Sequence, residues 1–258
     1  MDEGAGTVRV QISGAVCSVT LDYPARLNAM SRSMWARLRL AFLEIQRQPS
    51  LRCVVLRGAG ANFCAGGDIA EYPGFRFDPD RLRHFHEVEV WGALDAILAC
   101  DVPVVAVIEG ACMGAGVELA ACCDIRLASD LARFGAPIAR LGFPMAPREA
   151  ALVSGALGPT VARAMLLAAE IYSADQLFST GFLTRVVADA AIADTAKSWV
   201  ERVIGLAPQA ARSNKKILRQ LLLQPLQSFE MENVYAFASQ PEHREGIYAF
   251  LEKRRPEF

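Results

Sequence analysis

The chain has 258 residues, 53% of them hydrophobic and 21% charged, so it is long enough to bury a large core and too apolar for an intrinsically disordered protein. Its 27 basic and 28 acidic residues leave a net charge of −1, which excludes the polybasic character of many proteins that bind nucleic acid or anionic membranes. The apolar runs are too short to cross a bilayer, and the N-terminus has the features of neither a secretory signal nor a transit peptide. We therefore expect a soluble, cytoplasmic protein.

The first half of the chain alternates strand and helix patterns. A Ser-Gly-Ala turn between two alternating segments predicts a β-hairpin, and Ser31 is suited to cap the helix that follows. The predicted elements, in chain order, are hairpin strands over 8–12 and 16–21, a helix over 32–46, a strand over 53–56, a loop over 72–80, a helix over 80–99, a strand over 103–108, a short helix ending at 122 and a strand over 125–128. Strands that alternate with helices predict a layered α/β core.

The C-terminal part of the chain has a mainly helical pattern. After one strand over 184–187, segments with helical periodicity are separated by prolines and cover 191–204, 209–223, 227–239 and 242–253. We therefore predict an α/β core with the substrate site over residues 1–190 and a helical region over residues 191–258. Because this region is rich in Leu, Phe and Tyr, we expect it to need a partner surface.

Neither the cysteines nor the histidines form a metal-binding pattern. The seven cysteines are odd in number and no pair has C-x-x-C spacing, so most of them are expected in the core. Cys64 stands out only because it lies in a glycine-rich turn. His84 and His86 are two residues apart in a predicted helix, where their side chains diverge, and this argues against a metal pair.

Two glycine-rich turns follow buried strands, over residues 58–69 and 109–119. Neither has the Gly-Lys-Ser/Thr of a phosphate loop, and the first lacks the third glycine of a dinucleotide fingerprint because Phe63 stands there. Taken singly, each turn is equally well explained by tight packing. Together they favour a pair of backbone N–H groups that bind one carbonyl oxygen, which is how an enolate or a tetrahedral oxyanion is stabilised.

These turns resemble two signatures of the crotonase (enoyl-CoA hydratase/isomerase) superfamily. The first signature is Phe-Cys-Ala-Gly-Gly-Asp-Ile over 63–69, and the second covers 110–119 with Cys-Asp-Ile-Arg over 123–126. Further segments resemble the remaining motifs of the family in the same order, namely 24–30, 134–137 with 141–142, 173–187 and 249–258. The resemblance extends over nearly the whole chain.

The resemblance implies a crotonase (ClpP-like) α/β fold, a spiral of ββα units with a helical C-terminal region that forms trimers. The partners would be an acyl-CoA thioester as substrate and further copies of the chain, in a homotrimer or a dimer of trimers. Coenzyme A would enter as part of the substrate, and no separate cofactor or metal is expected. Position by position, the oxyanion donors fall on the N–H groups of Ala65 and Ala115.

The resemblance also implies which residues hold coenzyme A. They are Ala25, Arg26, Leu27, Ala65, Asp68 and Ile69 around the first turn, with Phe250 and Lys253 from the C-terminus. Lys253 belongs to a Lys-Arg-Arg run, so a solvated surface charge is an alternative explanation for it.

Hydratases of this family use two glutamates, and this chain matches only one of their positions. Glu118 falls on the first and is expected to act as a general base, although a glutamate stabilised by a helix dipole is the alternative. The second position is Ile138. Glu149 is the nearest replacement carboxylate, but Pro147 before it is typical of a first helical turn.

The reaction expected from these residues is hydratase-like: water is added to, or removed from, a CoA thioester of fatty-acid type through an enolate. A double-bond isomerase, which needs a single base, is an alternative, as are decarboxylation and thioester hydrolysis. A non-catalytic acyl-CoA-binding protein would keep the same pocket without turnover.

Overall fold

The computed structural model describes residues 6–223 and 241–258. Within them the strands, in chain order, are β1 (Thr7–Ser13), β2 (Val16–Asp22), β3 (Cys53–Gly58), β4 (Val104–Ile108), β5 (Ala111–Met113), β6 (Ile125–Ser129), β7 (Arg133–Gly135), β8 (Ile171–Ser173) and β9 (Arg185–Val187).

These strands form two sheets. In the larger sheet the order is β1-β2-β3-β4-β6-β9, and every neighbouring pair is parallel except the antiparallel hairpin β1–β2. In the smaller sheet the order is β5-β7-β8, with β5 parallel and β8 antiparallel to β7. Because β3 and β4 are parallel neighbours, the turns that follow them begin at the same edge of the sheet.

Helices account for most of the remaining described chain. In chain order they are α1 (Arg32–Gln46), α2 (Pro79–His84), α3 (Trp91–Ala99), α4 (Ala115–Ala121), α5 (Pro147–Leu157), α6 (Pro159–Leu167), α7 (Ala174–Ser179), α8 (Ile192–Ile204), α9 (Pro208–Leu223) and α10 (Pro241–Leu251). A π-helical segment, Phe85–Val90, joins α2 to α3, and 3₁₀ turns cover Pro24–Arg26, Ile69–Gly74, Pro137–Leu141 and Asp189–Ala191. In these ranges no helix is both long enough and apolar enough to cross a membrane.

Helices cover both faces of the larger sheet. On one face α1, capped by the Ser31 hydroxyl, buries Met34, Trp35, Leu38, Phe42 and Ile45. On the other face α8 packs through Ile192 and Val203 against Cys53, Val105, Val107 and Leu127. Consequently β4 is buried along its whole length, which explains its uninterrupted apolar sequence.

The structure confirms the hairpin, α1 and the buried parallel strands, and it differs from the predictions at two places. It contains β5, β7 and β8, each of three residues and too short to produce an alternating pattern. The helix expected over 80–99 is interrupted by the π-helical segment. The helix expected over 227–239 lies outside the described residues, and the domain boundary at residue 190 stays a prediction.

Candidate active site

The two glycine-rich turns lie side by side at the carboxyl ends of β3 and β4. The amide of Cys64 donates to the carbonyl of Ala111 at 2.9 Å, and the amide of Met113 donates to the carbonyl of Cys64 at 2.8 Å. A Cβ on Gly116 would lie 2.6 Å from the Cys64 carbonyl oxygen, so the close approach of the turns requires glycine there. The structure thus brings together the two turns that the sequence singled out.

A third segment, residues 27–30, pairs with the opposite side of the first turn. The amide of Met30 donates to the carbonyl of Gly66 at 2.7 Å, and the amide of Asp68 donates to the carbonyl of Met30 at 2.9 Å. In parallel pairing of this kind, the residue between the two bonded ones directs its N–H group away from the partner segment. That residue is Gly67, and it lines the cavity beside the turns.

The amide expected as the first oxyanion donor, that of Ala65, already has a partner. It donates to the carbonyl of Leu27 at 3.0 Å. Ala65 is therefore engaged in holding the turn, which counts against the donor role expected from the sequence. The physical reason is the register of residues 27–30 against the turn, because this register leaves the N–H of Gly67, not that of Ala65, facing away from the contact.

The second expected donor, Ala115, is the first residue of α4. The first N–H groups of a helix have no acceptor within the helix, and they lie at the positive end of its dipole. Gly114 before it has φ of 49° and ψ of −110°, a conformation that favours glycine. A Cβ on Gly114 would lie 3.6 Å from the Cα of Gly66, so the turns that carry Gly67 and Ala115 are in contact.

A cavity of about 230 Å³ opens beside these turns, and both Gly67 and Ala115 line it. Much of its wall is apolar, with Trp35, Phe85, Val90, Ile138, Leu141 and Met145. The polar side chains on the wall are Tyr72, Arg76, His86 and Glu118. A few polar groups in a largely apolar cavity are typical of a site for a small molecule.

Glu118 lies in the first turn of α4, and its side chain is 9% exposed. Burial, followed by the neighbouring charge of Glu149, raises the pKa of Glu118 to about 8. The carboxyl group therefore holds a proton at neutral pH, unlike an exposed glutamate. A carboxyl with such a pKa is suited to proton transfer near neutral pH.

Glu149, the replacement carboxylate that the sequence left open, is 2% exposed in the first turn of α5. Its Oε1 lies 3.0 Å from Nδ1 of His86. An ionised carboxylate only accepts hydrogen bonds, so beside ionised Glu149 the Nδ1 atom carries the proton that it donates. Nε2 of a neutral His86 then keeps its lone pair, as a general base requires.

The π-helical segment Phe85–Val90 supplies His86 to the cavity wall. A π-helical turn is wider than an α-helical one and shifts the side chains that follow it, and such turns are frequent at functional sites. Nε of Arg148 lies 3.2 Å from Oε2 of Glu87, which links this segment to the start of α5 beside Glu149. The contact between His86 and Glu149 thus joins two elements that are also linked at the surface.

Ile138, at the position of the missing second glutamate, lines the cavity as an apolar residue. The acid–base groups on the same cavity wall are His86 and Glu118, and Glu149 contacts His86. The sequence analysis considered His86 only as a metal ligand and did not connect it with Glu149, because 63 residues separate the two and no motif spacing connects them. Arg76, also on the wall, carried no signal in the sequence beyond its charge.

The residues expected to hold coenzyme A near the first turn are only partly at the cavity. Ala65 and Ile69 line it, whereas residues 25–27 are exposed at the surface beside the turn. Oδ1 of Asp68 accepts a hydrogen bond from the Ala70 amide at 3.2 Å, so this side chain caps the 3₁₀ turn.

The two C-terminal residues expected to reach coenzyme A lie in α10 or just after it. Lys253 is exposed just after α10 and is not part of the cavity wall. The side chain of Phe250 lies outside the described residues, although its backbone belongs to α10.

The cysteines lie in the core, and two of the histidines, His84 and His86, lie close to carboxylates. All seven cysteines are buried free thiols, and burial raises the pKa of Cys64 to about 12, which makes it a poor nucleophile. His84 lies 3.7 Å from Glu89, whereas His86 contacts Glu149. Across residues 6–223 and 241–258, no group of three metal-ligating side chains comes together.

The sequence matches the enoyl-CoA hydratase/isomerase family over residues 11–258. It is 29% identical over 254 residues to the short-chain-enoyl-CoA hydratase of Clostridium acetobutylicum, an alignment that covers 97% of this chain and 96% of that protein. It is 36% identical over 207 residues to a probable enoyl-CoA hydratase of Mycobacterium leprae, covering 79% of this chain and 78% of that protein.

The fold leads to the same family. The crystal structure of an enoyl-CoA hydratase/carnithine racemase from Magnetospirillum magneticum matches with a TM-score of 0.94 at 36% sequence identity, covering 98% of this chain and 95% of that one. This match confirms the crotonase-type α/β fold with a helical C-terminal region that the resemblance implied, and the structure shows that its strands form two sheets. Because both the sequence and the fold match this family, the chain belongs to the enoyl-CoA hydratase/isomerase (crotonase) family.

Proposed function

We propose that the protein is an enoyl-CoA hydratase, which adds water to the C2=C3 bond of a 2-enoyl-CoA thioester and removes it in the reverse direction. The observation that carries this proposal is that Glu118 and His86 line one cavity, while the buried carboxyl group of Glu149 contacts His86 from outside the cavity wall. Family membership supports an acyl-CoA substrate. The hydratase activity of the Clostridium relative supports the type of reaction.

In this proposal the N–H groups of Gly67 and Ala115 bind the thioester oxygen. When water adds to C3, the electrons of the double bond move to that oxygen and form an enolate. Two N–H groups and the positive end of the α4 dipole stabilise its negative charge. The pair keeps Ala115 from the sequence analysis and replaces Ala65 by Gly67.

The protons move through His86 and Glu118. Nε2 of His86 takes a proton from water as its oxygen bonds to C3, while Glu149 holds the Nδ1 proton and stabilises the imidazolium. Protonated Glu118 then gives its proton to C2, and the enolate returns to the thioester. Transfer of the proton from His86 back to Glu118 closes the cycle. Glu118 is thus the acid during hydration, whereas the resemblance alone suggests a base.

Double-bond isomerisation is a second candidate, favoured by Ile138. An isomerase moves one proton between C2 and C4 and needs no bound water, so a single carboxyl such as Glu118 suffices. The apolar wall at Ile138 occupies the position where hydratases of the family have a second glutamate. The two candidates differ in their need for His86 and Glu149.

For coenzyme A itself, the proposal follows the family resemblance. Residues 25–27, Asp68 and Ile69 would flank the pantetheine and the adenine, because they surround the turn that binds the thioester. Lys253 and Phe250 would approach from the C-terminus. Their contribution is a proposal that rests on the resemblance alone.

The test is turnover of 2-enoyl-CoA and 3-enoyl-CoA thioesters of several chain lengths by wild type and variants. We expect hydration by wild type and a fall in kcat of about 10²- to 10⁴-fold in Glu118→Gln, the typical effect of losing a positioned acid or base. Affinity for a saturated thioester should change little, because the oxyanion donors are backbone groups. His86→Gln and Glu149→Gln should slow hydration by a similar factor.

Glu87→Gln is the matched control, since Glu87 is next to His86 but its carboxylate pairs with Arg148 instead of lining the cavity. Full activity of Glu118→Gln on the best substrate would overturn the assignment of that residue. If His86→Gln and Glu149→Gln kept full turnover while Glu118→Gln lost it, isomerisation would replace hydration as the proposal. Binding of thioesters without turnover of any of them would identify a non-catalytic binding protein.

A further inference from the structure

Arg76 places a cation in the wall of a largely apolar cavity. It follows the 3₁₀ turn Ile69–Gly74 and lines the same cavity as Glu118. Its guanidinium carbon lies 3.5 Å from the ring centroid of Phe143 and 4.5 Å from that of Tyr72. The two rings are in edge-to-face contact with their centroids 6.1 Å apart. The aromatic rings therefore hold the guanidinium at the cavity wall.

The charge of Arg76 has no carboxylate partner in the described part of the chain. Two other arginines near the cavity do have one, since Arg32 pairs with Glu89 and Arg148 with Glu87. The ion pairs among the described residues do not include Arg76. Burial lowers the pKa of Arg76, so part of the hydration of the guanidinium has been lost.

The guanidinium carbon lies over both rings, and among the described residues no side-chain or backbone oxygen accepts a hydrogen bond from the guanidinium N–H groups. A guanidinium has five N–H donors in its plane, and a carboxylate matches two of them in a bidentate pair. A half-buried cation whose donors lack an anion is unfavourable, and a ligand that brings a carboxylate into the cavity would remove that penalty. A neutral acyl chain would instead be held against a charge.

We propose that Arg76 binds a carboxylate on the acyl group of the substrate, so the preferred substrates are CoA thioesters of dicarboxylic acids. This inference rests on the proposed function, because it takes the cavity to hold the acyl part of the thioester. The remote carboxylate of the acyl group would lie beside Arg76 and the rings of Phe143 and Tyr72, while the thioester lies at Gly67 and Ala115.

The phosphates of coenzyme A are the other anions that such a ligand carries. An acyl carboxylate is favoured because Arg76 shares its cavity with Glu118, whose proposed role requires the carbons next to the thioester to lie there. If Arg76 contacted a phosphate of coenzyme A, it would contribute to the binding of every CoA compound alike. If Arg76 contacts an acyl carboxylate, it contributes only to the binding of dicarboxylic thioesters. Binding experiments can therefore distinguish the two contacts.

The experiment measures binding by calorimetry with saturated thioesters, which cannot be hydrated. Glutaryl-CoA is compared with valeryl-CoA, and adipyl-CoA with hexanoyl-CoA, so that each pair has the same carbon count. For at least one pair we expect wild type to bind the dicarboxylic member about 10- to 100-fold more tightly, the range for a hydrogen bond between charged groups. Arg76→Gln should bring that ratio to about one and leave the neutral thioesters unchanged.

Arg76→Lys keeps the charge without the planar donors, so it should retain part of the preference and serves if Arg76→Gln fails to fold. Arg140→Gln is the matched control, because Arg140 is exposed and is not part of the cavity wall. Equal affinity of wild type for both members of each pair would overturn the carboxylate site while leaving the hydratase proposal intact. Equal weakening of free coenzyme A and of all thioesters by Arg76→Gln would show a phosphate contact instead. If no CoA compound bound, both proposals would fall.

Discussion

At Glu118 two opposing effects act on one carboxyl group. The start of α4 favours a negative charge, because the N-terminal end of a helix dipole is positive. Removal of the side chain from water disfavours that charge, and the carboxylate of Glu149 adds repulsion. Burial prevails and raises the pKa to about 8, since the dipole offsets only part of the lost hydration.

This balance predicts how stability depends on pH. In the unfolded chain Glu118 releases its proton above an ordinary pKa of 4.5, whereas in the folded protein it keeps the proton up to about pH 8. Between these values the folded state binds more protons, so the Glu118 contribution to the free energy of unfolding falls as pH rises. Glu118→Gln, which stays neutral, should therefore become progressively more stable than wild type from pH 4.5 to 8.

Each unit of pKa difference corresponds to about 1.4 kcal/mol, so the advantage should reach on the order of a few kcal/mol at pH 8. Urea unfolding of both proteins across this pH range measures it, and Glu87→Gln is the exposed control. If the difference in the free energy of unfolding between wild type and Glu118→Gln did not vary with pH, Glu118 would have the same pKa in the folded and unfolded states.

At the scale of the elements, the buried side chain of Asn28 holds the segment between β2 and α1 in place. Oδ1 of Asn28 accepts from the amide of Tyr23 at 2.9 Å, and Nδ2 donates to the carbonyls of Ala59 and Asn62 at 2.8 and 2.7 Å. Leu27 and Asn28 have φ of 49° and 59°, and asparagine tolerates this left-handed conformation better than most residues. The side chain thus ties the segment to the first turn and places the Leu27 carbonyl on the Ala65 amide.

Asn28→Ala should accordingly weaken both the fold and the site. It removes three hydrogen bonds, leaves their backbone partners unpaired and puts a Cβ without a polar group at a positive φ, so we expect a loss of about 2–4 kcal/mol in the free energy of unfolding. Affinity for CoA thioesters should fall with it, because the turn loses its support. Urea unfolding and calorimetry measure the two effects, with Gln11→Ala on exposed β1 as the control. A loss below about 0.5 kcal/mol, the usual range for surface changes, would contradict this role.

At the scale of the whole molecule, the C-terminal helices combine firm anchoring with exposed apolar surface. Lys215 of α9 lies 2.6 Å from Asp124, and Arg219 lies 2.9 Å from Asp101, so α9 is fixed to the core. Large apolar side chains remain exposed on α9 and α10, namely Leu218, Leu221, Ile247, Tyr248 and Leu251. An apolar surface of this kind is typical of a contact with another protein.

We predict that the protein forms a homotrimer, or a dimer of trimers, through residues 191–258. The exposed side chains above and the family resemblance both support this prediction. Light scattering at micromolar concentration should give a mass of three or six chains. The double variant Tyr248→Lys/Leu251→Lys should have a lower mass. Leu40→Lys, at an exposed position of α1, is the control. A wild-type monomer under these conditions would refute the prediction.

The sequence by itself determined the features that depend on local pattern or on short motifs. The alternation in β2 and the spacing of the apolar residues in α1 specify these elements, because each periodicity reflects which side chains face the core. The two glycine-rich turns identified the family and placed Ala115 and Glu118 at the start of α4. For these features, positions within about ten residues of one another carry the information.

Only the tertiary structure decided which groups meet. The register of residues 27–30 against the first turn engages the Ala65 amide and leaves that of Gly67 facing away, and nothing within the turn specifies that register. His86 and Glu149 meet across 63 residues through a π-helical segment. Arg76 acquires its surroundings from Phe143, on a different segment of the chain. Such contacts arise from the packing of distant segments, and this packing cannot be predicted from the spacing of residues along the chain.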